Sequence, residues 1–271
     1  MESEPSNPSG GRILFNEEKI IAKWAADMYD ANETDTADVD FALSIVGDAP
    51  KRILEVACGS GRILVPLAKA GHDAAGLDID ADMLDKISPK AAGLQNIRWR
   101  RSDVIRDDWG TGYEVVLLAA NFLFNIVTDM DYGRAQACVI RKAADALVPG
   151  GHLYIDYGYT LHPENWFDTP GETVIWQGTD SRGNTGKMAL HSSTFDSKTQ
   201  LVRFRRCFEL TLADGTKFRQ ELPCVRHFAT FGQIRGWLEA AGFALEAVYG
   251  DYEWNPVSER TNRLILWARK K

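Results

Sequence analysis

The sequence predicts an α/β fold: a doubly wound, mostly parallel seven-stranded sheet with a small antiparallel β-sheet inserted late in the chain. Three observations predict it. From "RILEVA" to "GHLYIDY", short apolar runs alternate with segments of helical period, the pattern of strands covered by crossover helices on both faces. After Gly158 the pattern changes to strand-like pieces with no helix between them. A helix and two strands then resume the first pattern.

The elements follow in order. "MESEPSNPSGG" is polar and acidic, with no apolar core for a leader, and residues 1–12 are expected to be a disordered tail. Ile20, Ile21, Trp24, Ala25 and Met28 recur at helical spacing, predicting a helix over 16–28. "MYDANETDTADVD" reads as a polar loop and "VDFALSIVG" as a second helix stopped by Gly47. Strand "RILEVA" then leads to helix "ILVPLAKAG", strand "DAAGLDI" to helix "ADMLDKI", and strand "IRWRRSD" to strand "YEVVLLAA". Helix "YGRAQACVIRKAADAL" and the turn "VPGG" deliver strand "GHLYIDY". Four strand-like pieces follow, "TVIWQGT", "KMALHSSTF", "LVRFRRCFELTL" and "KFRQELPCVRHF", the last two joined by the hairpin signal "ADGT". Thr230 can cap helix "FGQIRGWLEAAG", and strands "FALEAVYGDY" and "NRLILWARK" close the chain. The expected organisation is a tail (1–12), an α/β body with N-terminal helices (13–157), an antiparallel insertion (158–228) and the rest of the body (229–271).

The chain has 271 residues, 45% hydrophobic and 25% charged, enough for a large core. A net charge of -7 argues against nucleic acid as the main partner. Cys58, Cys138, Cys207 and Cys224 form no C-x-x-C pair and have no histidine at zinc-ligand spacing, so they are expected to be reduced thiols of a cytoplasmic protein, with no bound metal. No window approaches the ~20 apolar residues of a membrane span.

The chemistry concentrates in "ILEVACGSGRI". An apolar strand reaches Glu55 and then a turn of Ala57, Cys58, Gly59 and Gly61. Such a turn lies at the carboxyl edge of the sheet, where open α/β folds bind ligands, and its glycines let a ligand approach the backbone. The dinucleotide fingerprint G-x-G-x-x-G fails, because Leu64 holds the third glycine position. A P-loop fails too, for want of Gly-Lys-Ser/Thr. The spacing Glu55-x-Ala57-x-Gly59-x-Gly61 instead resembles motif I of the class I S-adenosylmethionine (SAM) methyltransferases, with alanine where glycine is usual.

That resemblance covers about residues 45–157 and 230–270 and implies a Rossmann-like fold, SAM as cofactor and S-adenosylhomocysteine as product. It implies that Asp78, about twenty residues past the turn, takes the ribose hydroxyls, leaving Asp80 to cap the next helix. Asp103 would receive the adenine amino group, with Val104 beside it, and Ile79 would also contact the cofactor. Met83 is either an adenine contact or core. Arg62 either pairs with a carboxylate or is solvated. Tyr29 resembles an N-terminal tyrosine that covers the methionine end of SAM. "ALVPGGHLYI" matches the family's entry to its fifth strand.

Methyl transfer is an in-line displacement, which needs alignment more than a covalent or metal step. The acceptor should face the ends of the fourth and fifth strands, which present Asn121, Phe122, Asn125, Asp156, Tyr157 and Tyr159. Asn121, Tyr159 and His227 are the candidates for catalytic contact, and Asn121 also for the cofactor; His227 is the histidine best placed for base work, with a structural role the favoured reading. In the family, an insertion at 158–228 forms a lid over the acceptor. Here it carries Trp166, Trp176, His191, Arg203, Arg205 and Arg206. Arg203 and Arg205 share a strand face, which either grips an acidic substrate or is solvated. Tyr252, in "YGDYEWNP", could wall the pocket.

The leading expectation is methyl transfer to nitrogen or oxygen of a small metabolite. Nucleic-acid amine methylators carry an Asn/Asp-Pro-Pro-aromatic motif where this chain has Asn121-Phe122-Leu123-Phe124, so nucleic acid is not the expected partner, nor is a membrane. A SAM cyclase that forms azetidine-2-carboxylate and releases methylthioadenosine is an alternative, as is a non-catalytic SAM-binding protein. Sheets like the insertion often pair in relatives, which makes a homodimer an expectation.

Overall fold

In the computed structural model, which describes residues 10–271 with side chains from residue 17 onward, the chain opens with α1 (Gly10–Asn32) and α2 (Ala37–Val46). The expected tail lies outside the described residues up to residue 9, and residues 10–12 already belong to α1. There follow β1 (Arg52–Val56), α3 (Leu64–Lys69), β2 (Asp73–Asp78), the short helices α4 (Ala81–Leu84) and α5 (Ile87–Lys90), β3 (Ile97–Arg101) and β4 (Tyr113–Leu118). Next come α6 (Phe122–Asn125), α7 (Tyr132–Ala146), β5 (Leu147–Gly158) and α8 (Pro163–Phe167). Four long strands, β6 (Thr169–Thr179), β7 (Thr185–Asp196), β8 (Leu201–Thr211) and β9 (Lys217–His227), precede α9 (Phe231–Ala240), β10 (Phe243–Tyr249) and β11 (Arg263–Lys270).

Seven strands pair in the order β10-β11-β5-β4-β1-β2-β3, with only β11 antiparallel to its neighbours. β1, β2 and β4 are buried along almost their whole length, as strands covered on both faces must be. The strand order reverses between β1 and β4, since β1 pairs with β2 on one side and β4 on the other. That switch point opens a crevice at the strands' carboxyl ends.

The remaining four strands form a separate antiparallel meander, β6-β7-β8-β9. The "ADGT" turn closes β8 onto β9, with Gly215 at φ 85°. Thr230 caps α9 through a reciprocal capping box with Gln233. The helices α6 and α8 had no expectation; each is about one turn long and too short to show a period.

α1 joins the two sheets. Its Ile21, Trp24 and Met28 bury themselves against Met188, Phe208 and Leu210 of the second sheet, each contributing about 1.5–3 kcal/mol. Gly178 lies at φ 151°, a conformation that L side chains rarely adopt, and Met28 Sδ packs on its bare backbone, 2.8 Å from where a Cβ would stand. The opposite side of α1 meets the first sheet's helices: Asp27 pairs with Lys86 and Asp30 with Lys90. Asp27 also accepts from the Ser181 backbone (3.0 Å) and hydroxyl (2.8 Å) in the β6–β7 turn.

Candidate active site

The glycine turn sits at the switch point and is built around a carboxylate. Ala57, Gly59 and Gly61 take left-handed backbone at φ 59°, 52° and 77°. A Cβ on Gly61 would lie 3.0 Å from Ile87 Cγ1, so the turn is pressed onto α5. Asp78 clamps it from the end of β2: one oxygen accepts from Gly59 N–H (2.8 Å), the other from Asp80 N–H (2.8 Å). Asp80 caps α4 by accepting from the Asp82 and Met83 amides. Cys58 turns inward, its Sγ filling the space over Gly76. Met83 lies against Gly59.

Glu55 is buried beneath this turn. Burial pushes its carboxyl well above the usual range, nearby Arg62 opposes that, and one oxygen, Oε2, has no hydrogen-bond partner among the described residues. A buried carboxylate oxygen left unpaired is an unmet demand for a donor or a cation.

Beside the turn, Arg62 is forked onto Asp38 of α2 (2.7 and 2.5 Å) and lies 3.4 Å from the Tyr29 hydroxyl of α1. Tyr29 meets Trp176 of β6 edge-on, ring centres 5.8 Å apart. These residues form one wall of a cavity of about 660 Å³ between the crevice and the second sheet. Another wall follows β4, where Ala120 and Asn121 are both left-handed (φ 49° and 60°). Asparagine tolerates that backbone, and Asn121 Oδ1 accepts from Gly158 N–H (3.0 Å), tying the ends of β4 and β5 together. Met188, Leu190, Phe204, Arg206 and Arg226 roof the cavity from β7–β9.

Residues 53–151, the part that carries β1, the turn and the switch point, match the family model described as "Methyltransferase domain". This segment is a SAM-dependent methyltransferase domain. YqeM of Bacillus subtilis (strain 168), itself only provisionally named a methyltransferase, is 26% identical over 81% of this chain and 84% of its own length. Among solved structures, the CcbJ methyltransferase of Streptomyces caelestis superposes with a TM-score of 0.67 at 20% identity, covering 87% of this chain and 95% of its own. The sugar N-methyltransferase KedS8 of Streptoalloteichus sp ATCC 53650 gives 0.67 at 17% identity, covering 100% and 97%. At such identities the two structures speak for the fold.

Within this methyltransferase, Tyr29, Arg62, Asn121, Asn125, Trp176 and Tyr252 all line the cavity. Glu55, Ala57, Cys58, Gly59, Gly61, Asp78, Ile79 and Met83 gather at the turn. Ile79 is 58% exposed, an apolar side chain open to solvent beside Asp78. Asp103 starts the loop after β3 and accepts from the Ile105 and Arg106 amides, and Val104 next to it packs on the core.

Other expectations need correction. Asp156 is not free for a substrate: it is fully buried, with Arg263 Nη1 at 2.8 Å on one oxygen and the Tyr252 hydroxyl donating to the other at 2.9 Å. Burial raises its carboxyl above the ordinary range while Arg263 opposes this. Tyr157 is buried, its hydroxyl accepting from Ala229 N–H at 2.7 Å. Tyr159 stacks on Phe228 (5.8 Å) within the core, and Phe122 packs on the same core. His227 is buried with Nδ1 2.7 Å from Gln136 Oε1, a packing contact between α7 and β9, and burial pushes its pKa down. None of these five lines the cavity. Arg203 is exposed on the outer face of β8.

The sequence reading passed over Asp38, Phe124, Arg226 and Arg263, and placed Arg206 without a role. A signal for Arg206 was present. In "LVRFRRCF" the apolar Val202 and Phe204 fix the inner face by alternation, so Arg206 points in and Arg203 and Arg205 point out.

Proposed function

We propose that this methyltransferase transfers the SAM methyl group to a nitrogen or oxygen of a small metabolite held in the cavity beneath the second sheet. The observation that carries this reading is the cavity itself. Its volume, about 660 Å³, is in the range of small-molecule sites. It opens beside the glycine turn and is closed by a sheet that serves as a lid.

The residues at the turn suit SAM on two counts. Glu55 Oε2 is a buried acceptor without a partner, and the left-handed turn presents backbone with no side chain in the way. SAM supplies a methyl group on a positively charged sulfur. Glu55 attracts the cationic methionine end, and Asp78 and Ile79 hold ribose and adenine, with Met83, Asp103 and Val104 beside them. Tyr29 and Arg62 cover the methionine end, and Arg62 meets its carboxylate by giving up part of its contact with Asp38. Asn121, fixed by Gly158, faces the acceptor together with Phe124, Asn125 and Trp176. These groups work by alignment and by excluding water. Among the described residues no histidine lines the cavity, so an amine acceptor would have to arrive already deprotonated, with its lone pair free for the displacement. KedS8 is a sugar N-methyltransferase, which supports a small acceptor of this kind.

The test is to incubate the purified protein with SAM, first alone and then with panels of small amines and alcohols, and to read products by mass spectrometry. S-adenosylhomocysteine formed only with an acceptor supports the reading. Methylthioadenosine formed without one, above the non-enzymatic background, would replace it with a cyclase.

A further inference from the structure

We propose that Arg206 and Arg226 form a receptor for an anionic group, carboxylate or phosphate, on the acceptor. The inference rests on reading the cavity as the acceptor site and adds the substrate's charge. Four arginines line the cavity: Arg62, Arg206, Arg226 and Arg263. Two are neutralised, Arg62 by Asp38 and Arg263 by Asp156. The other two have no carboxylate partner among the described residues. Arg226 is 6% exposed, and the Nε atoms of both Arg206 and Arg226 are buried without a hydrogen-bond partner. Among the described residues, the only bond from the Arg226 head goes back to the neighbouring Val225 carbonyl (2.7 Å).

The fold puts the two side chains together. Arg206 on β8 and Arg226 on β9 share the inner face with Val202 and Phe204, and Arg226 pairs in register with Val202. Between them lies Phe204, its ring centre 5.9 Å from the Arg226 guanidinium. Burial and the positive charge of Arg206 both push Arg226 below the ordinary arginine range. The carboxylates of the cavity are occupied elsewhere: Asp38 by Arg62, Glu33 by the Trp176 indole (3.0 Å), Asp35 by the Ala37 amide (2.9 Å). A buried Arg226 and a half-buried Arg206 without a counter-ion are unfavourable in the empty cavity. A carboxylate or phosphate between them meets both guanidinium forks and fills the vacant Nε positions.

The experiment is calorimetric titration of the S-adenosylhomocysteine-loaded protein with inorganic pyrophosphate and, separately, with succinate. The wild type is expected to bind at least one probe. Arg226→Gln and Arg206→Gln should each weaken that binding at least tenfold, while Arg219→Gln, on the outer face, leaves it unchanged. Pyrophosphate alone would mark a phosphorylated acceptor and succinate alone a carboxylic one. Failure of both probes on the wild type, or unchanged binding in both variants, overturns the proposal. Matching melting curves exclude unfolding as the cause. Failure of S-adenosylhomocysteine to bind the wild type would instead sink the cofactor reading, and the anion titration of the unloaded protein would still decide this one.

Discussion

The two sheets meet across one cavity, and they differ in the charges they hold in or beside it: Arg206 and Arg226 line it from the second sheet, while Glu55 and Asp78 lie at the turn behind its Arg62 wall. The seven-stranded sheet ends in carboxylates, Glu55 and Asp78, beside a turn of nearly bare backbone. The four-stranded sheet presents Arg206 and Arg226 from a mostly apolar face. Most buried charges here have partners, as Arg263 and Asp156 show. Glu55, Arg206 and Arg226 each keep an unpaired buried atom. Under the proposed function, this difference assigns a cationic group to the first sheet and an anionic one to the second.

The largest expected effect would sharpen the contrast between paired and unpaired charges. Arg263→Met strands the buried Asp156 carboxylate and should lower unfolding free energy by about 3–5 kcal/mol. Arg226→Met removes an unpaired cation and should leave stability equal or higher. Urea unfolding of the two variants side by side checks both, and equal losses would break the comparison.

The next effect concerns pH. The Glu55 carboxyl is raised by burial, so the folded protein keeps a proton that the unfolded chain has released. Its contribution to stability is therefore present below the ordinary glutamate value of 4.5 and is lost as pH rises through the raised folded value. A bound cation needs the ionised form, so SAM affinity should rise over the same window. Glu55→Gln should flatten both slopes and weaken SAM about tenfold at neutral pH, roughly 1.4 kcal/mol. Thermal melts and calorimetry across pH measure the two slopes.

The smallest effect is at Arg203. On the outer face of β8, Arg203→Gln should change stability by no more than about 0.5 kcal/mol and leave turnover unaltered once an acceptor is found. A marked loss of turnover would return it to the site.

Much of the first sheet was legible in the chain. Its buried strands are continuous apolar runs, and the turn at Ala57–Gly61 and the carboxylate of Asp78 are local in sequence. The acceptor side was read less well, because its contacts are distant in sequence. Asp156 looked like a pocket residue at a strand end until Arg263, 107 positions on, was seen to neutralise it. For His227 the sequence leaves base and structural roles open, and Gln136, 91 positions away, decides for the structural one. Alternation puts Arg203 and Arg205 on one face of β8, but only the apolar Val202 and Phe204 tell that the other face, with Arg206, is the inner one.

The most direct test of this division of labour is SAM binding by calorimetry to the wild type, Asp78→Ala and Arg226→Gln. Asp78→Ala removes the clamp on Gly59 and the expected ribose contact, and should lose about 100-fold in affinity, near 2.7 kcal/mol. Arg226→Gln should bind SAM as the wild type does. Equal SAM affinity in Asp78→Ala, or a comparable loss in Arg226→Gln, would contradict the assignment of cofactor to the first sheet and acceptor to the second.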